Sequence, residues 1–182
     1  MLVTTFNHYN MKKHLIIPIL SLVFLACCGG MQVVQAQSTR QEKDSIKTAR
    51  ISALIDQQEF VFKADMAYPM GGRSKNLSSD YYDLRVSKDT VVAYLPYYGR
   101  AYSAPIDPSK GGIQFTSTNF DYSVVPAKKG GWNITIKTKD GGDAQQLFLS
   151  VSTSGYANLQ VSSVSRQSIS FSGRISSRTR GK

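Results

Sequence analysis

Tyr94-Leu95-Pro96-Tyr97-Tyr98-Gly99-Arg100-Ala101-Tyr102 packs four tyrosines, one arginine, one proline and one glycine into nine positions. Val91 to Leu95 reads as a short strand running into it. Pro96 pushes Leu95 into an extended conformation, and Gly99 can take a positive φ without steric penalty. The chain is therefore expected to bend sharply after that strand. Tyrosines at a bend bury their rings and hydrogen-bond nearby backbone. On that reading the stretch is a corner that sets the closure of a β domain.

The pattern on both sides of the corner has a period of two. Upstream, Phe60, Phe62, Ala64 and Met66 alternate with Val61, Lys63 and Asp65; Tyr82, Leu84 and Val86 alternate with Asp83, Arg85 and Ser87. Pro69 to Asn76 reads as a loop, and Ser87-Lys88-Asp89-Thr90 as a hairpin turn. Downstream, a Pro/Gly/Asp loop over Pro105 to Gly112 precedes Ile113 and Phe115. Then come Phe120–Val124, Trp132–Lys137, Leu147–Val151, Ala157–Val161 and Ile169–Phe171. Compact turns separate them, notably Lys128-Lys129-Gly130-Gly131 and Asp140-Gly141-Gly142-Asp143. Eight or nine short strands at this spacing predict a mainly β fold. They form an antiparallel meander that closes into a barrel or folds into a sandwich. The polar alternates give the sheet one wet face and one dry face.

Ahead of the strands, Gln41 to Gln57 reads as one amphipathic helix, with Ile46, Ala49, Ala53 and Leu54 at helical spacing. Its apolar stripe is narrow, so it is expected at the edge or mouth of another element. The remaining N-terminus has the form of a leader. Met11-Lys12-Lys13-His14 is basic, and Leu15 to Leu25 is apolar over 11 residues. That run is short of the ~20 residues a membrane span needs and fits a secretory signal. Cleavage after Ala36 would start the mature chain at Gln37. Alternatively, Phe24-Leu25-Ala26-Cys27 has the form of a lipobox, with Cys27 as the lipidated residue. The expected organisation is leader 1–36, helix 37–58, one β domain 59–173 and a basic tail 174–182. The expected location is the periplasm or the outer membrane.

Both cysteines, Cys27 and Cys28, and both histidines, His8 and His14, fall in the leader. A mature chain without either has no disulfide, no Ser–His or Cys–His triad and no ordinary zinc, copper or iron site. No cofactor is expected. Without Lys12 and Lys13 there remain 20 basic residues against 12 acidic ones, a net charge of +8. In an exported protein that charge suits anionic lipid or acidic glycan and argues against nucleic acid. A lipid anchor or the basic tail offers peripheral membrane contact. The oligomeric state is not legible.

Four segments together resemble a known family. They are Leu95 to Tyr102, Gly112-Ile113-Gln114-Phe115, Gly155-Tyr156-Ala157, and Ser165 to Gly173. In order and spacing they are similar to the domain-of-unknown-function family numbered 4251, found in exported proteins of Bacteroidetes-type bacteria. The resemblance spans about Phe60 to Gly173 and implies a small exported β-rich domain. It implies no activity and no catalytic residue. Asp44-Ser45-Ile46 and Asp89-Thr90-Val91 also resemble the short O-glycosylation acceptor motif of those bacteria.

The candidate binding site is the corner itself. Tyr94, Tyr97, Tyr98 and Tyr102 would form an aromatic platform with Arg100 as its charged anchor, suited to a small apolar ligand, a glycan or a protein partner. On the structural reading, Arg100 is instead buried and paired with Asp121 or Asp83. Arg166 precedes the last strand and reads as a turn arginine that satisfies backbone carbonyls. Gly71-Gly72-Arg73-Ser74-Lys75 lacks the spacing of a phosphate loop. Catalysis would have to use paired aspartates among Asp80, Asp83, Asp107, Asp121, Asp140 and Asp143, which mostly sit at turns. The Asp140–Asp143 turn lacks the ligand count of a calcium loop. The reading is thus a non-catalytic binding domain of the cell envelope. Its alternatives are a purely structural envelope protein and an aspartate hydrolase.

Overall fold

The computed structural model describes residues 32–102, 111–140 and 144–178, with the backbone alone over 32–38. Residues 1–31 of the leader with Cys27, Asp107, Asp143 and the end of the tail lie outside the described residues, and the last residues of the predicted leader fall in helix. Helix α1 spans Gln32–Asp56, starting upstream of the predicted Gln41. Ten strands follow: β1 Phe60–Pro69, β2 Lys75–Asn76, β3 Asp83–Val86, β4 Val91–Leu95, β5 Ile113–Ser117, β6 Phe120–Pro126, β7 Trp132–Thr138, β8 Ala144–Val151, β9 Tyr156–Ser163 and β10 Ile169–Ser176. The two-residue β2 falls inside the predicted Pro69–Asn76 loop. Strand β10 runs through Arg174 to Ser176, so the first residues of the predicted tail are wall rather than tail, and Ile175 is buried.

The strands pair antiparallel in the order β5-β4-β3-β1-β10-β9-β8-β7-β6, with β2 on β1. Going round the wall, each main strand lies beside its neighbour in sequence, and β10 returns to lie beside β1. The result is a nearly closed up-and-down barrel rather than a sandwich. The two edge strands, β5 and β6, form no ladder with each other. They are joined by Thr118-Asn119 alone, so the seam of the barrel is bridged by two residues of chain. The pairing of β1 with β10 shuts the ring and leaves its one unladdered seam at Thr118-Asn119; the Tyr94–Tyr102 corner does neither.

Alternation directs the side chains. Phe60, Phe62 and Ala64 on β1, Leu84 and Val86 on β3, Ile134 and Ile136 on β7, Leu147 and Leu149 on β8, Leu159 on β9 and Phe171 on β10 point inward and are buried. Burial of each such Val, Leu, Ile or Phe side chain contributes ~1.5–3 kcal/mol. Gly173 stands opposite Ala64, next to a register shift in β1. A Cβ there would run into the Lys63 carbonyl, so the close strand approach requires glycine.

The body from Ile46 onward is one compact unit, and the end of α1 belongs to it. Ile51 and Ile55 are buried, whereas Ile46 is 63% exposed and Ala49 and Ala53 are exposed. Leu54 of the predicted stripe does pack against the core, partly buried, so the buried stripe keeps Leu54 and is otherwise rotated from the predicted one. Two isoleucines four residues apart stand on one face and bury far more apolar area than alanines. Ile51 reaches the β8–β9 turn, where a Cβ on Gly155 would lie 2.9 Å from its Cδ1. Tyr122 of β6 donates its hydroxyl to the Ile55 carbonyl at 3.1 Å. Its pKa is pushed up, first by burial and then by Asp56. The helix ends on Gln58 at φ 54°, with Glu59 N–H donating to Leu54 O and Gln58 N–H to Ile55 O, both at 3.1 Å. That is a Schellman cap built on a non-glycine residue. Ile51 and Ile55 thus sit over one mouth of the barrel, where β1 and β9 begin.

Candidate functional site

The other mouth is crossed by the stretch after β4. Ala101 forms an antiparallel bridge with Arg166, in the β9–β10 connection. Tyr102 N–H donates to Ser165 O at 2.7 Å, and Gln167 N–H donates to Arg100 O at 3.0 Å. Strand β10 is three places from β4 round the wall, so the corner is stitched to a distant part of the same end. Pro96 is buried beneath it.

The candidate residues divide into two groups. Tyr97 is structural. Its hydroxyl lies 2.7 Å from Arg100 O and 3.1 Å from Gln167 O and shares its proton between them. Its ring folds back over Gly99, where a Cβ would stand 2.7 Å from the ring carbon bearing the hydroxyl. Gly99 is not at positive φ. What it supplies is the missing side chain, not the left-handed bend predicted for it. Arg166 stacks on Tyr97 at 5.2 Å and donates to the carbonyls of Gly111 and Gly112, each at 3.0 Å. It is the carbonyl-satisfying arginine that the sequence suggested.

Arg100 does not match its structural reading. Its side chain is exposed. Asp83 is engaged by Arg85 at 2.8 Å and Asp121 by Lys139 at 2.8 Å. The bend uses the backbone carbonyl of Arg100, which two donors share, so the guanidinium is free to face water.

Tyr94, Tyr98 and Tyr102 point outward, 47%, 42% and 73% exposed. Tyr94 stacks on Tyr82 of the segment before β3, with ring centroids 5.7 Å apart and planes at 24°. The Tyr82 hydroxyl has its pKa pushed up by partial burial, then by Tyr98, Asp80 and Tyr94. Tyr98 is therefore part of the same cluster. Tyr81, also exposed, carries Lys63 over its ring at 5.7 Å. Tyr81 and Tyr82 were missed as site residues because they lie twelve positions and more upstream; the Asp83–Tyr94 register brings Tyr82 into contact with the corner. Tyr102 lies on the far side of the bridge.

Among the described residues Ser117 is the single buried polar one, and it is committed to Asn119 O at 3.2 Å and to Asp140. A binding cavity needs a few convergent polar groups. Two surface concavities, of about 520 and 360 Å3, lie on the outer face, and neither is lined by a tyrosine of the corner. Asp140 closes the seam. It accepts from Ser117 Oγ, Thr118 N at 2.9 Å, Thr118 Oγ1 at 3.2 Å and Asn119 N at 3.0 Å. Led by the Ser117 bond and then the Thr118 amide, these hold its pKa down at about 2, against an opposing desolvation. A general acid needs the opposite shift. Among the described residues, no group of three His, Cys, Asp or Glu could hold a metal ion, and no helix is long and apolar enough to cross a membrane.

These features define a small antiparallel β-barrel with a helix over one mouth, a tyrosine corner over the other and aromatic rings on its outside. The profile of the domain of unknown function DUF4251 matches residues 42–175, and the chain belongs to that family. A crystal structure of a DUF4251 family protein from Bacteroides eggerthii is similar, with a TM-score of 0.55 and 17% identity over 75% of this chain and 91% of that one. That likeness is one of fold. No curated protein matches the chain.

Proposed function

We propose that the protein is an exported, non-catalytic binding domain of the cell envelope. Its contact surface is the tyrosine cluster of Tyr81, Tyr82, Tyr94 and Tyr98, and its ligand is a protein partner. The observation that carries this reading is the placement of the rings. Tyr94, stacked on Tyr82, and Tyr98 spend aromatic area on the outside, each half exposed, while the inward positions are filled by aliphatic and phenyl groups. Tyrosine is enriched at protein interfaces because it adds contact area at small entropic cost and carries a hydroxyl. Export is supported by the leader and by the absence of Cys and His after residue 36. Arg100 and Tyr102, exposed at the rim, extend the surface toward a second contact.

The test uses the full chain in a Bacteroides-type host. Fractionation should place it outside the cytoplasm. A photo-crosslinking residue at Tyr94 should capture an envelope protein, and the capture should be lost in Tyr81→Ala/Tyr98→Ala, both exposed, with the melting temperature little changed. A crosslink to glycan instead would replace the partner class. A cytoplasmic location, or capture indifferent to the two tyrosines, would refute the proposal.

A further inference from the structure

A second surface lies on the other side of the barrel. The cross-strand register puts Asn133 of β7 opposite Ser150 of β8, Ser150 opposite Asn158 of β9, and Asn158 opposite Ser172 of β10. Directly opposed residues share a face with Cβ atoms roughly 4.5–5.5 Å apart. These four make a row of amides and hydroxyls across four strands of the outer wall. The next row on that face is Thr135, Phe148, Gln160 and Ser170. Neither row contains a charged side chain. Among the described residues, Asn133, Ser150 and Asn158 have no protein partner for their side chains.

One end of the first row is hollowed into a groove of about 520 Å3, within the roughly 300–1,000 Å3 of small-molecule sites. Two further elements complete it. Lys128 and Lys129 stand at its edge on the β6–β7 turn. The backbone that carries them is a defined turn, with Gly130 and Gly131 at φ of 84° and 92° and Ala127 N–H bonded to Gly131 O at 3.0 Å. Neither lysine has an acidic partner among the described residues. Tyr156 forms a wall, 55% exposed. Arg174, which does not line the groove, braces its ring at 4.7 Å.

Each part answers one part of a ligand. An aromatic wall takes the CH face of a sugar ring. A row of uncommitted amides and hydroxyls takes sugar hydroxyls, donating and accepting in turn. Two lysines without counter-charges take an anion as point charges. No carboxylate lines the groove to repel it. We infer that this groove binds a saccharide carrying a carboxylate or phosphate group, with Asn133, Ser150 and Asn158 on the hydroxyls and Lys128 and Lys129 on the anion. The site is independent of the tyrosine cluster and does not rest on it.

The experiment is an amide NMR titration with four probes: tetragalacturonate, glucose 6-phosphate, cellotetraose and inorganic phosphate. At least one of the first two should bind with a dissociation constant below ~1 mM and shift amides of 127–133, 150–152 and 156–158. Raising the salt should weaken it, since exposed charges are screened. Lys128→Ala/Lys129→Ala should lose about tenfold in affinity, and Asn158→Ala a smaller factor, with melting temperatures unchanged. Binding of the uronate would point to an acidic polysaccharide, and binding of the sugar phosphate to a phosphorylated headgroup sugar. Inorganic phosphate binding as tightly as glucose 6-phosphate, cellotetraose as tightly as the uronate, or no shift with any probe would each overturn the inference.

Discussion

At Asp140, a single exposed carboxylate does the work of a latch. Four donors from three consecutive residues converge on it, and its pKa falls from 3.8 to about 2 on folding. A depressed acid contributes stability that is complete above its unfolded value and is lost as the pH falls through its folded one. The wild type should therefore lose melting temperature between pH 4 and pH 2. Asp140→Asn should melt lower at pH 7 and show a flatter slope across that window, as followed by circular dichroism. An unchanged slope would remove the latch. The corner can be tested in the same way. Tyr97→Phe leaves the Arg100 and Gln167 carbonyls short of a donor and should cost ~1–3 kcal/mol in denaturant unfolding. Arg100→Ala should cost within ~0.5 kcal/mol, as exposed substitutions do. Sequence alone could not assign these roles. A tyrosine-rich bend announces hydrogen bonds to backbone, but which arginine stacks on which ring depends on a bridge spanning 65 residues between Ala101 and Arg166.

The strands were the legible elements, since period-two alternation is written locally in the chain. Eight or nine were expected, and the additional one, β2, is two residues long and too short to show a period. The helix was legible as a helix but not in its orientation. Ile46, Ala49, Ala53 and Leu54 satisfy helical spacing as well as Ile51 and Ile55 do, and only docking against the barrel mouth decides between the two stripes. Ile55, fully buried, is placed there with its carbonyl held by Tyr122. Ile55→Ala should destabilise by ~2–5 kcal/mol, while Ile46→Ala should sit within ~0.5 kcal/mol of wild type. Equal costs for the two would mean that the helix docks on the other face. The groove between β7 and β9 was illegible for a related reason. Asn133, Ser150 and Asn158 are 25 residues apart in sequence from first to last, and only register aligns them.

For the molecule as a whole, barrel or sandwich was the question that local patterns left open. Pairing of β1 with β10 settles it. Strand β1 has β3 on one edge and β10 on the other, and β10 itself brings Ile169, Phe171 and Ile175 to the core. A chain stopped after Val164, lacking β10, should show no cooperative thermal transition and should bind a hydrophobic dye. A sharp transition in that fragment would mean that the remaining strands form a stable open sheet.

The same pairing sets a timetable for biosynthesis. Strand β1 leaves the ribosome among the first structured segments, and its partner β10 among the last. Hairpins such as β3–β4 and β8–β9 can form as they emerge, but the ring cannot shut until Ser176 is free of the exit tunnel. The nascent chain therefore stays open and extensible until β10 has emerged to pair with β1.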